Sequence, residues 1–149
     1  MIRSMTPYDR DFYLFAASEF YNSDAVIKPV PKEYLVNVFD ELITSDRYLL
    51  GYILAAEGEN AGFAVLSKQF ATESGGICIW IEDLYVLPEF RSKGLGREFF
   101  SYIDKTLRNE AGRFRIEVEH NNERAKAFYK RIGFTEHCYE QLVKDLSEK

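Results

Sequence analysis

The sequence predicts one α/β domain, residues 1–149, built on a sheet of mixed strand direction, and three observations carry that expectation. The 149 residues are about one domain's worth of chain, and at 46% apolar they can close a sizeable core without metal or disulfide help. Apolar residues recur at helical spacing in two early segments and then alternate through a long middle stretch. From Pro88 onward, helix and strand patterns take turns to the end, after a middle stretch that reads as an antiparallel meander, so the sheet is of mixed direction.

Ile2 to Met5 alternate briefly as a first strand, and Thr6-Pro7 supplies an N-cap followed by proline at the first helical position. Tyr8, Phe12, Phe15, Ala16 and Phe20 repeat at helical spacing. Past a loop holding Pro29 and Pro31, so do Tyr34, Leu35, Val38, Phe39, Leu42 and Ile43. Two amphipathic helices therefore come first. Tyr48 to Ala56 and Ala61 to Phe70 read as strands around the turn-like Glu57-Gly58-Glu59-Asn60, and Ile77 to Leu87 is a third strand set off by Ser74-Gly75-Gly76. After Pro88, Phe99, Phe100, Ile103 and Leu107 mark one helical face, with Gly112 as its stop, and a strand follows at Phe114 to Glu119. Asn121 and Asn122 both suit an N-cap, and Ala125, Phe128, Tyr129 and Ile132 mark a last helical face ending at Gly133. Phe134 to Leu146 carries a final, weaker strand pattern.

Composition removes several function classes. No run approaches the ~20 apolar residues of a membrane span. Met1 to Asp11 carries charges and a proline where a signal peptide needs an apolar stretch, so a cytoplasmic protein is expected. Residues 1–76 hold six Lys and Arg against eleven Asp and Glu, while residues 77–149 hold thirteen of each, so the net charge of −5 sits in the first half. A surface that tracks nucleic-acid phosphates needs a basic excess, so no nucleic-acid partner is expected. An acidic half would favour a cationic substrate, but acidity is more often simply the ordinary means of staying in solution. Cys78 and Cys138 match no disulfide, zinc or redox spacing and read as free thiols. His120 and His137 are too few and too far apart for the three or four ligands of a divalent site, so no metal is expected.

The strongest local signal is Arg91-Ser92-Lys93-Gly94-Leu95-Gly96-Arg97, between the strand ending in Val86-Leu87-Pro88 and an amphipathic helix. Without a Cβ, Gly94 and Gly96 let the backbone turn sharply and bring its N–H groups close to an anion, and the helix N-terminus adds partial positive charge there. Arg91, Lys93 and Arg97 add full charge. A dinucleotide fingerprint fails because Phe99 stands where a third small residue belongs, and a P-loop fails because no Gly-Lys-Ser/Thr follows. By itself the Gly-x-Gly is equally compatible with a tight turn that binds nothing.

The stretch from Glu82 to Phe134 resembles the GNAT superfamily of N-acetyltransferases. That family has a bulged strand leading into an R/Q-x-x-G-x-G/A loop, then helix, strand, and N-x-x-A with Tyr four residues beyond the Ala. Here these are Leu84-Tyr85-Val86, Arg91-x-x-Gly94-x-Gly96, and Asn122-x-x-Ala125 leading to Phe128-Tyr129 and Gly133-Phe134. The resemblance implies a mixed, mostly antiparallel sheet with a splayed parallel strand pair and helices on both faces. It also implies acetyl-CoA bound in the gap between the strand holding Glu82 to Val86 and the strand holding Phe114 to Glu119. The amides from Lys93 to Arg97, including those of Leu95 and Gly96, would then hold the pyrophosphate. Backbone groups near Leu84, Tyr85 and Val86 would pair with the pantetheine arm, and Asn122 would add a side-chain contact beside Ala125 and Phe128. Lys126 and Lys130 are candidates for the remaining phosphate or, equally, the solvated face of a helix.

Acetyl transfer from a thioester to an amine requires a neutral amine, a donor for the developing oxyanion, and a proton for the departing thiolate. An ammonium of pKa ~10 leaves only about one molecule in a thousand neutral at pH 7, so a base is useful. In the family, the tyrosine corresponding to Tyr129 commonly serves as the acid; from spacing alone Tyr129 is a core aromatic. Two carboxylates match the base in different branches of the family. Glu82 aligns with the base of diamine and polyamine acetyltransferases, and in an apolar strand partial desolvation would raise its pKa. Glu117, twelve residues before Tyr129, corresponds to the base of enzymes acting on protein N-termini, and it otherwise reads with Glu119 as an exposed or ion-paired face near Arg115 or Arg124. Asp83 points away from Glu82 if the strand is regular, although a bulge near Leu84 breaks that parity.

In the family the acceptor side is lined by the first two helices, their connecting loop and the last hairpin, and here those regions contain Glu33, Asp40, Glu41, Asp46 and aromatics including Tyr8, Phe12, Phe20, Tyr21 and Tyr34. Such a wall suits a cation with apolar methylenes. The expectation is therefore an acetyl-CoA-dependent transferase acting on a small cationic amine such as a polyamine, as a homodimer. A protein N-terminal acetyltransferase and a non-catalytic CoA-binding sensor are the alternatives.

Overall fold

The alternation between residues 49 and 86 becomes three long antiparallel strands in the computed structural model, which describes residues 1–24 and 26–146. These are β2 (Leu49–Ala56), β3 (Glu59–Ala71) and β4 (Gly76–Val86). Glu57 and Gly58 join β2 to β3 with φ of +55° and +80°. Two left-handed residues make the hairpin turn whose twist matches that of the flanking strands. Glu59 and Asn60 consequently pair across to Ala56 and Ala55 instead of belonging to the turn, and β3 starts two residues earlier than the pattern suggests. A short β1 (Ile2–Ser4) lies antiparallel on β2, and β5 (Ala111–Ile116) lies parallel to β4, giving the order β1-β2-β3-β4-β5. By their contacts the residues divide into two compact units, Met1–Glu117 and Val118–Lys149.

Within Met1–Glu117, helices cover both faces of the sheet. Helix α1 (Arg10–Tyr21) follows a 3₁₀ turn at Pro7–Asp9, and α2 is Lys32–Thr44. Tyr13 of α1 meets the Phe63 ring edge-on at 5.2 Å and stacks on Phe39 of α2 at 5.6 Å. These helices therefore lie on the face to which alternation directs Ile53, Phe63 and Val65. The opposite face carries Tyr52, whose ring meets Phe99 and Tyr102 of α3 (Leu95–Leu107). The apolar stripe of α3, Leu95, Phe99, Phe100, Ile103 and Leu107, is buried. Arg3 ties β1 to the first turn with two hydrogen bonds to the Asp9 carboxylate, 2.8 and 2.7 Å, and Thr6 donates two more. This fourfold grip holds the Asp9 pKa down to about 2.

Three expectations need correction. Gly112 does not stop α3: the helix ends at Leu107 and Gly112 lies inside β5, because pairing with Ile77 draws the strand back to Ala111. The strand expected to run to Glu119 ends at Ile116, the last residue paired to β4. The tail also differs. Among the described residues, 134–146 carry no strand, and Tyr139, Leu142, Val143 and Leu146 are exposed. Alternation makes a strand only where partner backbone completes the ladder.

In the unit from Val118, α4 (Glu123–Arg131) forms where the N-cap signal places it: the Asn122 side chain accepts a 3.1 Å bond from the Ala125 N–H. Gly133, at φ +107°, closes the helix, and the Phe134 N–H reaches back to the Tyr129 carbonyl.

Candidate active site

The site in Met1–Glu117 begins with a fault in the ladder. Val65 of β3 pairs with Asp83, but Leu66 pairs with Ile81, so Glu82 is an extra residue on β4. A bulge sends successive side chains off the regular alternation. Glu82 is exposed and accepts a 2.5 Å hydrogen bond from Ser67, whereas Asp83 turns inward and is only 6% exposed. Desolvation is thus the lot of Asp83, not of Glu82 as the sequence suggested. Burial raises the Asp83 carboxyl to about 6, against the pull of a short hydrogen bond from the Tyr21 hydroxyl; the Glu82 charge pushes the same way as burial. Of the aromatics expected on the acceptor side, Phe20 and Tyr21 lie here, their rings 4.9 Å apart, while Tyr8 is 98% exposed.

The bulge also marks where the parallel pair opens. Pairing of β4 with β5 ends at Ile81 opposite Ile116, while β4 runs on to Val86 paired with β3 alone. Among the described residues no strand pairs with Glu82 to Val86 on the side that faced β5. An extended ligand can add to such an edge as a strand would. Leu84 supplies backbone groups there, whereas the Tyr85 carbonyl lies toward Gly62 of β3 and the Val86 carbonyl accepts from Arg91. Gly62 of β3 is required behind this segment, since a Cβ there would stand 2.3 Å from the Tyr85 carbonyl oxygen.

This edge of β4 runs through a 3₁₀ turn at Pro88–Phe90 into the glycine loop. Ser92 and Gly94 both adopt left-handed backbone, φ +62° and +81°, and Gly94 is the N-cap of α3. Among the described residues, no atom beyond its chain neighbours lies within 4 Å of where a Gly94 Cβ would be. The first N–H groups of α3, those of Leu95, Gly96 and Arg97, have no partner within the helix and carry its positive end. A helix N-terminus of this form can receive an anion. The loop's cations divide the work differently from a simple cluster. Arg91 donates from Nε to the Val86 carbonyl at 2.9 Å and lies over the Tyr85 ring, bracing the loop against β4. Lys93 lies over the Phe90 ring and pairs with Glu57 at 3.1 Å, so the hairpin tip supports the loop.

Glu117, one residue past β5, is exposed, and Arg115 lies over the Trp80 ring at 4.1 Å. On α4, Tyr129 is half-buried, its ring 5.8 Å from that of Phe134, and burial raises its phenol. Ala125 and Phe128 are half-buried on the same helix. Lys126 donates to the His120 carbonyl, and Lys130 pairs with Glu136 at 3.0 Å. The Asn122 oxygen is spent on capping. Sequence reasoning missed the chemical weight of Asp83 and overlooked Tyr13; the signal available was an Asp beside a Glu in a strand that a bulge can shift by one.

Residues 11–134 match the acetyltransferase (GNAT) family, and the chain belongs to that family. It is 34% identical over 87 residues to the uncharacterized N-acetyltransferase YhfO of Bacillus subtilis (strain 168), covering 56% of this chain and 58% of that one. It is 26% identical over 112 residues to the thialysine N-epsilon-acetyltransferase of Mus musculus, covering 66% and 65%. The match thus spans less than two thirds of either relative. In three dimensions the chain is similar to a possible acetyltransferase from Clostridium difficile 630, with a TM-score of 0.85 at 20% identity over 98% and 97% of the two chains. It is also similar to AAC(6')-Iy in complex with a bisubstrate analog, at 0.80 and 17% over 97% of each. These likenesses are of fold. No helix among the described residues is long and apolar enough to cross a membrane.

Proposed function

We propose that residues 1–149 act as one acetyl-CoA-dependent N-acetyltransferase domain whose acceptor is a small cationic amine. The observation that carries this reading is the β4 edge from Glu82 to Val86, unpaired on the β5 side among the described residues, leading directly into the glycine loop at the N-terminus of α3. An extended arm ending in a pyrophosphate needs these two features in that order. Acetyl-CoA supplies the thioester acyl group. The Leu95, Gly96 and Arg97 amides hold the phosphates, with Ser92, Lys93 and Gly94 shaping the loop and Arg91 bracing it. Leu84 to Val86 hold the arm in extended form, and the family resemblance assigns Asn122, Ala125, Phe128 and Lys130 to cofactor binding. A carboxylate, Glu82 or Glu117, relieves the ammonium of its proton. Tyr129 donates a proton to the departing sulfur, a role suited to a phenol that burial keeps protonated.

The acceptor class is supported by the similarity to thialysine N-epsilon-acetyltransferases and by the acidic, aromatic first helices. A cytoplasmic homodimer is part of the same proposal, supported by the family's dimerising habit. Calorimetric titration with acetyl-CoA tests it: wild type binds, and Gly94→Glu, which puts bulk and negative charge into the loop, does not. A folded wild-type protein with no affinity for acetyl-CoA refutes the reading.

A further inference from the structure

Two carboxylates are buried in Met1–Glu117, and they differ in what answers their charge. Asp9 has Arg3 on both oxygens. Asp83 has no Lys, Arg or His paired with it among the described residues; its partner is the Tyr21 hydroxyl, which donates to Oδ1. A buried carboxylate without a counter-cation is costly and is ordinarily paired or coordinated. A second incomplete group stands near it. The Tyr13 hydroxyl is fully buried, lies within electrostatic reach of Asp83, and has no hydrogen-bond partner among the described residues. Orphaned buried polar atoms of this kind are few in folded proteins. Around the two runs a wall of rings: Phe20 is 5.5 Å from Tyr85, and Phe63 is 6.2 Å from Tyr85 and 5.2 Å from Tyr13. Aromatic faces attract cations.

The placement matters as much as the chemistry. Asp83 follows the bulge residue at the point where β4 parts from β5, beside the backbone edge of Leu84 to Val86. We infer that Asp83, with the Tyr13 and Tyr21 hydroxyls, receives the primary ammonium of the acceptor and takes the proton it must shed, in place of Glu82. This rests on the acetyltransfer reading. One N–H bond of the ammonium breaks, its electron pair stays on nitrogen, and the proton forms an O–H bond at Asp83 Oδ2, the oxygen Tyr21 leaves open. The amine then has the lone pair that attacks the thioester carbonyl, and the acid form of Asp83 is neutral, which suits its burial. Tyr21 is a positioning residue: its donated bond favours the carboxylate, whereas burial and the neighbouring Glu82 charge oppose it.

The test uses calorimetry with 1,4-diaminobutane and a panel of other primary amines, alongside acetyl-CoA, on wild type, Asp83→Asn, Tyr13→Phe and Tyr21→Phe. Asp83→Asn should weaken amine binding by about tenfold or more, the worth of a charged hydrogen bond, with acetyl-CoA affinity unchanged. Tyr13→Phe should weaken amine binding while the protein melts no lower, because the lost hydroxyl had no partner among the described residues; a merely structural tyrosine would leave amine affinity alone. Tyr21→Phe should move the acid limb of the turnover profile to higher pH. A panel in which no amine distinguishes wild type from Asp83→Asn overturns the inference, as does an acid limb indifferent to Tyr21. Absence of acetyl-CoA binding counts against the acetyltransfer reading alone, since the amine comparison reads Asp83 independently.

Discussion

Replacing Asp83 with asparagine should make the fold more stable at neutral pH, and the size of the effect follows from the burial of its carboxyl. In the folded chain that group titrates near 6, against an ordinary 3.8. At ~1.36 kcal/mol per unit, keeping it ionised at pH 7 costs the fold about 3 kcal/mol. The sign is that of a raised pKa: the group favours the fold fully below about pH 4, and the advantage is lost as pH rises through about 6. Asparagine fills nearly the same volume and carries no charge, so it escapes the cost. Urea unfolding of both proteins between about pH 4 and 8 should show curves that nearly coincide at the acid end and separate to about 3 kcal/mol above pH 6, or ~6–12 °C in melting temperature for a chain of this size. Equal stability of the two proteins across that range would refute the claim that Asp83 sits uncompensated. A carboxylate retained at this expense is the usual mark of a functional group held against the interest of stability.

Three further outcomes follow from other parts of the molecule. Gly94→Ala and Gly75→Ala both put a methyl on left-handed backbone with, among the described residues, no atom beyond chain neighbours within 4 Å, so each should cost about 1–2 kcal/mol in unfolding experiments; only Gly94→Ala should also weaken acetyl-CoA binding in the calorimeter. Asp9→Asn should remove about 2 kcal/mol of stability at pH 7, and because the Asp9 pKa is depressed to about 2, that contribution in wild type should fade as pH drops from about 4 toward 2, as followed by circular dichroism. Tyr129→Phe should bind acetyl-CoA normally yet turn over about 10²-fold more slowly, the ordinary worth of a general acid; unchanged kcat would remove Tyr129 from the chemistry.

Much of this was legible in the sequence because the devices are local. The Asn122 cap, the Gly133 stop, the alternation of β2 to β4 and the stripe of α3 each depend on near neighbours in the chain, and each forms within a residue or two of where its residues say. The β4 bulge is different. Nothing in Ile81-Glu82-Asp83-Leu84 says which residue is extra, since that is decided by Val65 and Leu66 across the ladder. A slip of one residue changed which carboxylate is buried. Tyr21 and Tyr13 reach the site only through the packing of α1 on the sheet, which no pattern within α1 records. The ends of β5 went the same way, fixed by its register with Ile77 to Ile81 instead of by its own residues.

The most direct test of the account is acetyl transfer itself. Purified protein, acetyl-CoA and a primary diamine should together release free CoA thiol in step with appearance of the mono-acetylated amine, and omission of any one should abolish both. Thiol release that needs no amine, or a folded protein that binds acetyl-CoA and acetylates none of a broad panel of primary amines, would contradict it.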